Sequence, residues 1–301
     1  MLFLLLAGCG GEIENKKPTP DLDTIMNDGG KSDELFEEAK KIYYSMPSPL
    51  ELTTLIKQAG GEFQKGLALN TKGTSDYQST LKQGMILGVY GADLSYTRVY
   101  EQQQESLLLL AAAKRLAGTI GIHDAFSNNR VERANNNLNN KDSMVSILSE
   151  VYWEINGQLK DENRNEIAML VMVAGWVEGL YIGVTLADVS NPNDEIMKRL
   201  MEQKFTAMQI EDMFEEYSED NMLAQSRPYF VDILNFYANL PVTEEPTEIS
   251  EPEDGKFVIG GAKEVQYSAE DFNKLKELAL ESRTKIVALW KSWSSLYFFS
   301  H

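Results

Sequence analysis

The chain has 301 residues, 43% of them hydrophobic and 25% charged. This is the balance of a globular protein, so the chain as a whole is neither disordered, collagen-like nor a disulfide framework. The 28 Lys and Arg against 46 Asp and Glu leave a net charge of -18, a field that repels phosphate backbones and anionic membrane surfaces, so nucleic acid is not an expected partner. A single cysteine excludes an intrachain disulfide. With only His123 and His301 beside it there is no Cys/His spacing for a structural metal, and no metal or cofactor is expected.

The first element is an apolar run from Met1 to Leu6 that leads through Ala7 and Gly8 into Cys9, with Gly10 and Gly11 behind it. Leu6-Ala7-Gly8-Cys9 resembles the lipobox of bacterial lipoproteins. The run is short and carries no base, where a secretory signal normally has both a basic start and a longer apolar core; an upstream start would explain both. The resemblance implies cleavage before Cys9, a diacylglycerol on its sulfur and acylation of the new amino group. Two or three acyl chains give stable anchoring where one is marginal. Residues 1–8 are then a signal segment and 9–32 a lipidated cysteine with a flexible tether. Pro18, Pro20, Gly29 and Gly30 stand among charges there with no apolar period, a coil of about 25–30 Å root-mean-square span.

From residue 33 to 301 the pattern is that of one all-α domain. Ser48-Pro49-Leu50-Glu51 reads as a helix start with an N-cap, a first-turn proline and a capping-box glutamate, and Ser75 to Gln78 repeats the cap. Periodic helical segments follow at about 105–121, 142–158, 163–188, 193–217, 222–239 and 268–298. Seven asparagines within 127–140 point to a frayed or interrupted helix. Six acids and two prolines in 244–254 mark a solvated linker, and the runs around Gly260-Gly261 suggest a small β-hairpin near 256–267. The expected architecture is an antiparallel array of helical hairpins.

Gly84 to Tyr90 and Gly175 to Tyr181 share Gly, Gly and Tyr at one spacing, and Val145 to Leu148 is echoed by Val231 to Leu234. Residues 75–160 and 162–241 therefore suggest two duplicated helical units; chance recurrence is the alternative. Glycine in a helix costs about 1 kcal/mol against alanine, so the stripes Gly84, Gly88, Ala92 and Gly175, Gly179, Gly183 call for close helix contact. Ile167 to Ala187 is long enough to span a membrane, but Glu178 at its middle favours a buried core helix.

Glu178 must then be paired, hydrogen-bonded or protonated. Asp93 and Arg98 are its candidate partners, with Tyr90, Tyr96 and Tyr181 as hydroxyl donors. These residues form either a buried pair that fixes helix register or a polar point in a cleft. No Gly-x-Ser-x-Gly elbow, His-Glu-x-x-His or dinucleotide fingerprint occurs, and His123 reads as a surface or capping residue. The expected function is a lipid-anchored binding or scaffold protein of the cell envelope, its domain in the periplasm or outside the cell, acting on another envelope protein or a small ligand. The alternative is an envelope hydrolase or lyase working through Glu178 and Asp93.

Overall fold

The computed structural model describes residues 49–58, 60–137, 140–162, 164–187, 195–244 and 263–289. Cys9, the tether and most of the acidic linker lie outside them. Eleven α-helices occur among the described residues: α1 (Pro49–Gln58), α2 (Thr80–Val99), α3 (Gln103–Thr119), α4 (Asn128–Asn136), α5 (Lys141–Asp161), α6 (Asn165–Leu186), α7 (Glu195–Met201), α8 (Lys204–Glu216), α9 (Asn221–Ser226), α10 (Val231–Asn239) and α11 (Ala269–Val287). Two short strands, β1 (Val242–Glu244) and β2 (Lys263–Val265), complete the set. The fold is all-α with one small antiparallel sheet, as the periodicity predicts.

Several boundaries differ from expectation for local reasons. The cap expected at Ser75 lies instead at Ser79, whose hydroxyl accepts from the Lys82 N–H at 3.3 Å. Ser75 sits in a 3-10 turn, Thr71–Asp76, and its carbonyl takes the Gln78 amide at 2.7 Å. The asparagine-rich stretch is the interrupted helix its composition suggests, with α4 ending at Asn136 and α5 starting at Lys141, and Arg133 and Arg130 tie α4 to Glu150 and Glu154 of α5. The helix expected over 193–217 is two, α7 and α8, and Pro228 separates α9 from α10 within a 3-10 turn. The sheet pairs β2 with β1, Val242 opposite Val265; Phe257 to Ile259 and the Gly-Gly turn lie outside the described residues. The last helix ends at Val287, with Ala288 extended, and residues 290–298 of its expected span also lie outside.

Helices α2 and α6 form the centre. Gly84 faces Ile167 and Leu170, while Gly88 faces Val171 and Gly175, so the two run in the same direction across each other. An added Cβ on Gly88 would lie 2.1 Å from the Val171 carbonyl oxygen, and one on Gly175 3.2 Å from the Gly88 oxygen. This is backbone-to-backbone contact. Gly179 departs from the expected stripe, since no described atom lies within 4 Å of a Cβ placed there. The duplication would align Gly88 with Gly179, yet the contact joins Gly88 to Gly175.

Around this pair, α1 packs against both helices, α3 returns along α2, α5 and α7 flank α6, and α11 lies on α6 and α10. The turn from α2 to α3 places Glu101 in the left-handed region, φ 59°. Helix α6 is long and apolar enough to cross a membrane, but 94% of its most apolar window is buried inside the domain. It serves as a core helix, and an apolar surface all round suits that role.

Candidate functional site

Glu178 and Asp93 come together at the crossing of α2 and α6, both at 0% exposure. Their cation is Arg283 of α11. Its Nε donates to the two Glu178 oxygens at 3.4 and 3.3 Å, and its guanidinium lies over the Tyr181 ring at 4.7 Å from the centroid. Asp93 Oδ2 accepts from the Leu69 N–H at 2.8 Å. Asp93 Oδ1 is buried and receives no N–H or O–H from a fully ionised set of neighbours, but it belongs to a carboxyl that hydrogen-bonds Glu178.

Desolvation raises the Asp93 carboxyl well above the ordinary aspartate range, and the adjacent Glu178 charge raises it further. Glu178 is also raised by desolvation, but Arg283 and the bond from Asp93 pull it back. Two carboxyls in contact in a dry site share one proton, and it resides on the one without a cation. Asp93 is thus the carboxyl that its neighbour raises further, and Glu178 the one that Arg283 pulls back.

The other sequence candidates fall in different places. Tyr90 closes a buried hydroxyl contact with Thr74 at 2.8 Å, and the Tyr96 hydroxyl accepts from the Gln64 N–H at 2.8 Å. Both are structural braces for the segment between α1 and α2. Burial lifts the Tyr96 phenol to about 12. Arg98 does not join the carboxyl pair; its charge neighbour is Glu101, in the turn that follows α2. His123 is exposed, with its backbone N–H donating to Gln158 Oε1.

Sequence reasoning missed Arg283, 105 residues from its partner, yet a signal was present. Phe272, Leu275, Ala279, Ser282 and Ile286 form the buried stripe of α11, and Arg283, four residues after Ala279, lies on its edge. Lys82 was missed as well. Its ammonium donates to the Lys285 and Ile286 carbonyls at 2.7 and 2.8 Å and sits over the Tyr229 ring at 4.4 Å, while burial pulls its pKa down to about 8.

The arrangement fastens three helices. Neither carboxyl is open to solvent in this conformation. A separate apolar cavity of about 10 Å³ lies between α3, α4 and α5, lined by Leu110, Phe126, Val131, Ala134, Ile147 and Val151. It has room for about one water and none for a metabolite. Among the described residues no cluster of three or more His, Cys, Asp or Glu could hold a metal ion. No protein-family model, curated protein or solved structure matches the chain.

Proposed function

We propose that this protein is a binding or scaffold module of the cell envelope, tethered to a membrane by lipid on Cys9 and presenting its helical domain about 25–30 Å from the headgroups. The observation that carries the reading is the fate of Glu178 and Asp93. The carboxyls best suited to acid–base work are sealed, Glu178 against Arg283 and Asp93 against Glu178 and the Leu69 N–H, so they hold α2, α6 and α11 together. Function then falls to the surface, whose negative field favours a neutral or basic partner. Leu6-Ala7-Gly8-Cys9 and the Gly/Pro-bearing stretch after it support the tether.

The test is a Cys9→Ser chain expressed with a complete leader. It should leave the detergent phase for the aqueous phase and lose fatty-acid labelling, and equal membrane retention of variant and parent would overturn the anchor. Co-purification of the parent from its native membrane should bring a companion in stoichiometric amount. Hydrolysis of an envelope substrate that disappears in Asp93→Asn would replace the binding reading with the enzymatic one.

A further inference from the structure

We propose that the domain holds one trapped proton between Asp93 and Glu178, and that this proton keeps the C-terminal half of α11 docked, making that half a latch that loosens as pH rises. The inference is independent of the anchor.

The geometry comes first. Three ionisable groups meet where α2, α6 and α11 touch: two carboxyls at 0% exposure and one guanidinium, its side chain 16% exposed. Arg283 reaches both oxygens of Glu178. Asp93 has only the Leu69 N–H on one oxygen and no N–H donor on the other. If both carboxyls were ionised, two anions would press together without water and with one cation between them. With a proton on Asp93 Oδ1, donated to Glu178, every oxygen has a partner and the cluster sums to zero charge. Among the described residues the other titratable groups that face the cluster are tyrosines: Tyr90 and Tyr96 from α2, Tyr181 from α6, and Tyr77 from the segment before α2, near Arg283. Burial raises all four, so none is a competing anion near neutrality.

The latch follows from how α11 is held. Its first half buries Phe272, Leu275 and Leu278, whereas its second half buries only Ala279, Ser282 and Ile286. Polar contacts secure that second half: Arg283 on Glu178, Lys82 on the Lys285 and Ile286 carbonyls, the Tyr77 hydroxyl on the Val287 carbonyl at 2.9 Å, and Lys285 on Asp232 at 2.9 Å. When Asp93 gives up its proton, Arg283 faces two carboxylates in a dry site. Lifting the last turns of α11 admits water to both, so this segment opens first.

The sign is fixed by linkage. Asp93 titrates higher in the folded than in the unfolded chain, so its contribution is complete below the unfolded value of 3.8 and is lost as pH rises toward the folded value. In that window unfolding releases one proton, and the unfolding constant rises about tenfold per pH unit from this site alone. Lys82 acts in the opposite direction above about 8, so Asp93 has to be isolated by substitution.

Asp93→Asn does this, because the amide keeps an acceptor for the Leu69 N–H and gives Glu178 a permanent donor. In full chains, denaturant unfolding of the parent should steepen against Asp93→Asn as pH rises above 3.8, by one proton, about tenfold per unit. Amide exchange over residues 279–287, taken as the ratio of parent to variant, should climb with pH while that of α2 stays flat. Parallel pH profiles for the two chains overturn the trapped proton. A ratio that climbs equally in α2 and α11 overturns the latch. If Asp93→Asn fails to fold, infrared spectroscopy of the parent with carbon-13 aspartate decides: a protonated aspartic carboxyl band at neutral pH supports the proposal, and its absence overturns it.

Discussion

At Gly88 the space for a side chain is already filled by backbone, which cannot rotate away as a side chain can. Gly88→Ala should therefore cost about 3 kcal/mol, the upper part of the usual overpacking range, despite a propensity gain of about 1 kcal/mol. Gly179→Ala meets no described atom and should be neutral or stabilising by up to about 1 kcal/mol. Urea unfolding of both variants checks the pair, and a Gly88→Ala chain as stable as the parent would show that the crossing is misplaced. Spacing by four made the glycines legible, but each such step turns about 40° around a helix. Over Gly175, Gly179 and Gly183 the stripe rotates out of the contact. Glu178 was legible as a buried charge because it interrupts a long apolar run, and Asp93 as its neighbour. Arg283 was not, because an arginine in an amphipathic helix ordinarily lies at a solvated edge.

Several helices here share one device, a cation from elsewhere in the fold on the carbonyls at or just past the C-terminus. Lys57 reaches the Val99 carbonyl of α2, Arg164 the Ile120 carbonyl after α3, Lys204 the Tyr237 and Ala238 carbonyls of α10, and Lys82 the last turn of α11. Each satisfies orphan carbonyls and opposes the negative end of the helix dipole. Lys82→Met leaves two carbonyls of α11 without a donor and should cost about 1–2 kcal/mol near neutral pH. Because burial holds Lys82 near 8, below its unfolded value of 10.5, the unfolded chain binds more protons between those values. The parent's advantage over Lys82→Met should thus grow from about pH 8 to 10.5, as denaturant curves near neutrality and near pH 10 can show. A constant gap would mean that the ammonium is not desolvated. No local pattern announces these caps, since each joins a lysine or arginine to a helix end distant in sequence; the N-caps at Ser79 and Ser268 are local.

For the whole molecule, helix makes up 76% of the described residues, so far-ultraviolet dichroism of the Cys9→Ser chain should show helix above one half. With α6 committed to the core, that chain should stay in the aqueous phase without detergent; retention in the detergent phase would return α6 to the membrane. The fold class was legible because period 3.6 persists through almost every segment. The contact of α2 with α6 was legible in their glycine stripes, but its parallel direction was not, since hairpin logic joins neighbours in sequence, and here α3, α4 and α5 intervene.

The contacts of α11 also fix an order in time. Lys82 finds its acceptors 203 and 204 residues downstream, and Glu178 its cation 105 residues downstream. Until α11 is made, the central helices carry a carboxylate without its cation and an ammonium without its carbonyl acceptors, a costly state to bury. The core therefore closes only once α11 has been made, and α11 is the piece that closes it.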